Sequence, residues 1–352
     1  STRYLAVDES RMLADPARYY KGGKPDLQLF DKKLYEVNPD DKVAIARAAA
    51  EEVLGKDERI ISVDSSYSDG EGSSYRLISN GFEGESKSTW FSVSASVSIK
   101  GEGEARPQDY WYDSALFYDK LTKTGIGAKA LERVLRKLGQ KKAKSGKYTM
   151  VVDPMNVGNL LSPMLSALYG SALQQKNSFL MDKLDTKVAS DLFTLRDEPH
   201  AIGANGSRYF DNEGVATEPR TVFDKGVLKT YFIDTYNGKK MDIAPTISAP
   251  SRLILTPGDK DLNGLVADIK QGILVTGFNG GNSNSSTGDF SYGIEGFLIE
   301  DGKLTQPVNE MNVTGNMVTL WNSLVAVGND PQPNRSWQIP SLVFEGVDFS
   351  GL

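Results

Sequence analysis

The sequence predicts an α+β fold in two parts, with antiparallel-rich sheets and a strand-rich second half. Strand and helix signals are not regularly interleaved, as a doubly wound parallel sheet would require. Phe91, Val93, Ala95, Val97 and Ile99 alternate with serines, the pattern of an antiparallel strand with one wet face. Beyond residue 153 the chain becomes short apolar runs separated by Gly-rich turns. Its 352 residues suit two domains at about 150 residues each. The polar stretch 141–147 is the expected boundary, leaving an α+β domain over 1–145 and a β-rich domain over 146–352.

In chain order, Asn38-Pro39-Asp40-Asp41 reads as an N-cap, a proline at the first helical position and acids in the first turn, with Gly55 as the stop. A helix is expected over 39–54. Two strand runs, 75–79 and 91–99, flank the turn signal Asn80-Gly81. Leu131, Val134, Leu135 and Leu138 recur at helical spacing before Gly139. A short apolar strand over 148–152 ends at Asp153-Pro154. Two hairpins follow, turning at Asp224-Lys225-Gly226 and at Asp301-Gly302, with a helix over 262–269 between them.

Composition excludes much chemistry. There are no cysteines and one histidine, His200. Disulfides, Cys-ligated zinc, Fe–S clusters, Cys nucleophiles and any site that needs two histidines from this chain are ruled out. The net charge of −6 argues against a dedicated nucleic-acid binder. No run approaches a membrane span, residues 1–18 lack a signal-peptide core, and cytoplasmic location is the expectation.

Local motifs are weaker. Gly125-Ile126-Gly127-Ala128-Lys129-Ala130 fits a dinucleotide-binding pattern with Asp153 as the ribose acid, but no buried strand precedes it and the simpler reading is a helix start. The Gly-rich tract 277–286 lacks the Lys-Ser/Thr end of a phosphate loop and reads as a flexible loop. No G-x-S-x-G or S-x-x-K occurs. His200 reads as a loop residue. Asp211, Glu213 and Asp289 are an acid/base or hard-cation set only if they converge. Lys129, Arg133, Arg136, Lys137, Lys141, Lys142, Lys144 and Lys147 form a cationic stripe with only Glu132 opposing, read as a solvated helix face running into a charged linker.

A set of motifs in order then resembles the TldD/PmbA family. It comprises Ser145-Gly146-Lys147-Tyr148 through Asp153-Pro154, Asp211-Asn212-Glu213-Gly214, Gly272-Ile273-Leu274-Val275-Thr276-Gly277 and the glycine tract. Thr287-Gly288-Asp289-Phe290-Ser291-Tyr292-Gly293-Ile294-Glu295-Gly296-Phe297, Ile299-Glu300-Asp301-Gly302-Lys303, Pro307-Val308 and Val327-Gly328-Asn329-Asp330 complete it. The resemblance spans nearly the whole chain. It implies a two-part α+β fold and a protease of two related subunits acting on extended or unfolded peptides, historically named modulators of DNA gyrase. Family members usually carry a further N-terminal segment, so it also implies an incomplete start.

The TldD-type subunit of this family bears a His-Glu-x-x-x-His helix and a late Cys that hold zinc. Counted back without gaps from Val188-Ala189-Ser190, that motif falls on 161–166, where this chain has Leu161, Ser162 and Ser166; the late Cys falls near Ile339. A catalytic zinc needs about three protein ligands and a base, and these residues supply neither. The resemblance is therefore to the PmbA (TldE) subunit: no metal or cofactor in this chain, zinc in a TldD-like partner, and pairing with that partner or with itself. Gly280, Gly281, Asp289, Phe290, Ser291, Tyr292 and Gly293 are the peptide-binding candidates, as an exposed strand edge beside a Gly-rich loop. An autonomous homodimeric peptide-binding or regulatory protein, and a dinucleotide-dependent enzyme, are the competing readings.

Overall fold

The computed structural model describes residues 6–351. Its helices are α1 (Pro39–Glu51), α2 (Ile126–Leu135), α3 (Gly158–Ser166), α4 (Gly170–Gln174), α5 (Thr235–Met241), α6 (Leu262–Ala267) and α7 (Met317–Asn322). The strands are β1 (Ile60–Ile78), β2 (Phe82–Ile99), β3 (Gln108–Ala115), β4 (Gly146–Val152), β5 (Leu195–Asp197), β6 (Arg220–Asp224), β7 (Val227–Leu228), β8 (Leu253–Leu255), β9 (Gln271–Ser283), β10 (Asp289–Glu300), β11 (Lys303–Asn316), β12 (Leu324–Val327), β13 (Trp337–Gln338) and β14 (Leu342–Ser350). The α+β expectation holds.

The first sheet has the order β1-β2-β3. The strand runs at 75–79 and 91–99 belong to one much longer antiparallel hairpin, paired from Ile60↔Ile99 to Ile78↔Phe82. Serines hid its length, because Ser66↔Ser94 and Ser74↔Ser86 pair on the wet face through hydroxyl–hydroxyl bonds of 2.9 Å. On the opposite face Phe91, Val93, Ala95, Val97 and Ile99 pack with Ala49 of α1, Val53 just past it, and Ile126, Ala130 and Val134 of α2 in one core. Asn38 caps α1 by accepting from the Asp41 N–H at 2.9 Å, as the sequence predicts.

The second sheet runs β11-β10-β9-β4-β14-β12, and β11 pairs again with β14 through Val313↔Phe349. That return closes β11, β10, β9, β4 and β14 into a ring, which removes exposed edges wherever it is complete. Alternation explains why these strands read as continuous apolar runs. Met150, Val152, Ile273, Val275, Leu342 and Phe344 point into the large core, whereas Val151, Leu274 and Val343 pack with Leu265 and Val266 of α6 and with the following Ile269. The third sheet, β13-β8-β5-β6-β7, adds the hairpin turning at Lys225-Gly226. Positive φ values at Lys225 and Gly226, and at Asp301 and Gly302, are those of tight hairpin turns. Ala14, Tyr19 and Phe82 join the large core, so the N-terminal segment and the hairpin tip pack on the second part of the molecule.

A charged link also crosses between the two parts. Lys137 is buried, and its Nζ lies 3.1 Å from Asp109 Oδ2 of β3 and 2.8 Å from Glu295 Oε1 of β10. The reading of the cationic stripe as a solvated helix face running into a charged linker is corrected at Arg133 and Lys137, while Arg136, Lys141, Lys142, Lys144 and Lys147 are exposed. Arg133 Nε also meets Asp109 at 3.2 Å, Lys129 meets Glu132, and Lys142 and Lys147 face Glu310 and Asp348. Acids distant in sequence, invisible to a local scan, face four of its eight cations: Arg133, Lys137, Lys142 and Lys147.

Candidate functional site

Five residues separate β4 from helix α3, and they include the turn in which Asp153 Oδ1 accepts from Asn156 N at 3.0 Å and Nδ2 at 2.7 Å. Its apolar face is broad: Leu160, Leu161, Met164 and Leu165 are buried, and Ser162 and Ser166 are exposed. Ile339 is buried in the same core as Leu161. Of the four positions onto which the resemblance counts the zinc motif, two are therefore aliphatic packing groups and two are outward hydroxyls. Leu161 and Ile339 have no lone pair to offer, and no carboxylate stands at 162 to activate water. The donor set does not fit a catalytic zinc. Among the described residues no three His, Asp or Glu side chains gather at a metal-binding distance.

The glycine tract is not a loop. It forms the second half of β9, up to Ser283, and the turn lies at 284–288. Tyr292↔Gly281, Ser291↔Asn282 and Phe290↔Ser283 pair β10 with it. A Cβ on Gly281 would sit 2.0 Å from the Ser291 carbonyl oxygen, so close strand approach accounts for that glycine. On its other side β10 pairs with β11, Tyr292 opposite Val313 and Gly293 opposite Asn312. Phe290, Ser291, Tyr292 and Gly293 are thus in a strand paired on both sides, and the expectation that they form an exposed edge is corrected. The edge belongs to β9. Its partner β4 ends at Val152↔Val275, and beyond the Asn156 Nδ2 bond to the Thr276 carbonyl at 2.8 Å no second strand flanks Gly277, Gly280 or Gly281 among the described residues. Asp289 is held at the turn by Thr287 Oγ1 at 2.7 Å and Asn316 Nδ2 at 3.0 Å, bonds that keep its carboxyl below the usual carboxylate range.

Other sequence candidates resolve into structure. The carboxylate of Glu52, just past α1, accepts from the N–H groups of Gly125 at 2.6 Å, Gly127 at 2.8 Å and Ala128 at 3.2 Å. The anion at this helix start is the chain's own glutamate. A Cβ on Gly127 would lie 1.9 Å from the Ala49 carbonyl oxygen, so this glycine serves the contact between α1 and α2, and the segment before it is irregular rather than a strand. The dinucleotide reading is set aside. Asp211 is buried and accepts from the N–H groups of Glu213, Val215 and Ser248, while Glu213 accepts from Thr235 N and Oγ1. Burial raises the Glu213 pKa, partly opposed by those bonds. Asp211, Glu213 and Asp289 do not converge. His200 Nε2 lies 3.1 Å from Thr217 Oγ1 with its ring tilted against Tyr209, and burial followed by the nearby Lys24 charge lowers its pKa.

Residues 145–351 match the model of the PmbA/TldA metallopeptidase C-terminal domain, and residues 32–138 that of the central domain. The chain belongs to the PmbA/TldD metallopeptidase family. Among curated proteins of this family it is 29% identical to a metalloprotease PmbA homolog of Haemophilus influenzae, over 99% of this chain and 78% of that one. Metalloprotease PmbA of Escherichia coli O157:H7 is 28% identical over the same shares. A solved Bacteroides thetaiotaomicron structure, of a protein provisionally described as a modulator of DNA gyrase, superposes with a TM-score of 0.99 at 74% identity, covering 100% of this chain and 80% of that one. TldE from Thermococcus kodakarensis shares the fold, with a TM-score of 0.81 at 22% identity over 99% of this chain and 82% of that one. No helix among the described residues is long and apolar enough to cross a membrane.

Proposed function

We propose that this PmbA/TldD family chain is the zinc-less, PmbA-type subunit of a two-chain peptidase, completing a cavity with a zinc-bearing TldD-type partner and helping to hold extended peptides there. The observation that carries this reading is the burial of Leu161 and Ile339 in one core, where the family pattern asks for a histidine and a cysteine. Burying a leucine fully stabilises by about 1.5–3 kcal/mol, and an imidazole in that place would need a hydrogen-bonding partner that the apolar surroundings lack. Packing and metal ligation are alternatives at these positions.

The unflanked half of β9 supports the peptide-holding part of the proposal. Backbone N–H and C=O groups along such an edge bond to any extended chain and read its shape before its sequence. The pairing of Lys129, Arg133, Lys142 and Lys147 of the cationic stripe with Glu132, Asp109, Glu310 and Asp348, in a chain of net charge −6, speaks against DNA as the ligand, since a nucleic-acid surface needs clustered cations free to neutralise phosphates. A peptidase of extended cytosolic chains is consistent with a cytoplasmic location.

Co-expression with a TldD-like protein from the same source tests the proposal. The expected outcome is a stable complex that holds zinc and cuts an unstructured peptide with chelator sensitivity, while this chain alone does neither. Stoichiometric zinc in this chain alone, or chelator-sensitive cleavage by it alone, would overturn the reading.

A further inference from the structure

A cavity of about 590 Å³ opens where the two parts of the molecule meet, at the carboxyl end of β4 and beside the first half of β9, where the two strands stop pairing. That volume is in the range of sites that take a small ligand or a few side chains. One wall is α2, which presents Lys129, Arg133 and Arg136 at successive-turn spacing; Lys303, at the start of β11, stands on another wall. Trp111 and Met155 supply apolar surface. Lys303 makes no ion pair or side-chain hydrogen bond among the described residues. Arg133 meets Asp109 through Nε at 3.2 Å, and Arg136 reaches Glu132 only at 3.7 Å while stacking on Phe297.

Three acids also line the cavity, and each is already bonded to the chain. Asp330 accepts from Ser341 N at 2.9 Å, Ser341 Oγ at 2.8 Å and Leu262 N at 2.9 Å. Asp261 accepts from Gly264 N at 2.8 Å, and Asp153, buried at the floor, accepts from Asn156. The acids brace the walls; Lys129 is held by Glu132 at 2.9 Å and Arg133 by Asp109, which leaves Lys303 and the loosely paired Arg136 as the cations that face a ligand. Thr276 lines the same cavity, and from there β9 runs outward as the unflanked edge.

We infer that this cavity is a carboxylate-binding subsite for a peptide lying antiparallel along β9, taking either its C-terminal carboxylate or an acidic side chain near that end. The inference rests on the peptide-holding reading given above. Arginine matches a carboxylate with two parallel N–H···O bonds, and partial burial strengthens them relative to water. The antiparallel direction brings the peptide's C-terminal end to Thr276, because β9 itself leaves the cavity at its C-terminal side.

The test uses the whole chain and three forms of one unstructured, fluorescein-labelled hexapeptide: neutral with an amidated end, neutral with a free carboxylate, and glutamate-containing with an amidated end. Fluorescence anisotropy is expected to show at least about tenfold tighter binding of one or both carboxylate forms over the neutral amide, equivalent to about 1.4 kcal/mol. Which form gains identifies the source of the carboxylate. Lys303→Glu with Arg136→Glu, both at exposed positions, should abolish that preference, and Lys303→Arg should retain it. Equal binding of all three peptides, or a preference unmoved by the double charge reversal, overturns the subsite and leaves the subunit proposal standing. Carboxylate-dependent binding by a chain that never assembles with a TldD-type protein leaves the subsite and removes the subunit role.

Discussion

Replacing Lys137 by methionine should destabilise the molecule sharply and loosen the joint between its two parts. The side chain is 10% exposed, its Nζ is 2.8 Å from Glu295 and 3.1 Å from Asp109, and it donates to the Gln108 carbonyl at 3.0 Å. Removing one member of a buried ion pair costs about 3–5 kcal/mol, because the remaining charge keeps its desolvation penalty. Asp109 retains Arg133 at 3.2 Å, whereas Glu295 has no other ion-pair partner among the described residues, so the loss should lie near the lower end, about 3 kcal/mol. At about 2–4 °C per kcal/mol for a large domain, the melting temperature should fall by roughly 6–12 °C. Urea unfolding of the single variants and of Lys137→Met with Glu295→Gln completes a double-mutant cycle. The double variant should recover part of the loss, since no uncompensated carboxylate remains on β10. A single-variant loss below about 1 kcal/mol, the range of exposed pairs, or a double variant no better than the sum of the singles, would refute this account of the link.

Other outcomes follow from the same geometry. Gly127→Ala should cost about 1–3 kcal/mol or more, since its Cβ would lie 1.9 Å from the Ala49 carbonyl oxygen and helix backbone cannot give way cheaply; thermal melts against Gly158→Ala, another helical glycine with no atom within 4 Å of the new Cβ, isolate the clash. Asp153→Asn should flatten the pH dependence of stability. Burial raises the Asp153 pKa above its ordinary value, opposed by the Asn156 bonds and the Arg133 charge. The folded chain therefore holds that proton more tightly than the unfolded one, and this group's contribution falls as pH rises from the ordinary carboxylate range through its raised folded value. Urea midpoints across that range, wild type against variant, read the difference, and parallel curves would contradict it.

How much was legible in the sequence depended on distance along the chain. The α1 cap at Asn38, the Lys225-Gly226 and Asp301-Gly302 turns and the apolar face of α3 are local features, and the residues that make them are adjacent. The β1–β2 hairpin was only half visible, because Ser-rich stretches mask a strand whose wet face is bonded by hydroxyls. The glycine tract misled for a similar reason. Glycine is a poor strand former by propensity, yet close approach to Ser291 selects it within β9. The β11–β14 pairing, the Lys137 link and the Glu52 cap on α2 join positions tens to hundreds of residues apart, and no spacing rule announces them. For the site, Leu161 and Ile339 could be placed in one core by the fold alone; their unfitness as ligands was readable from residue type.

The most direct test of the central claim is elemental analysis of the purified chain, alone and after assembly with a TldD-like protein, with zinc supplied throughout. The account predicts no stoichiometric zinc in the chain alone and one zinc for each TldD-like chain in the complex, unchanged when Ser162 and Ser166 of this chain are replaced by alanine. A tightly held zinc in this chain alone, lost in the Ser162→Ala and Ser166→Ala variants, would contradict it.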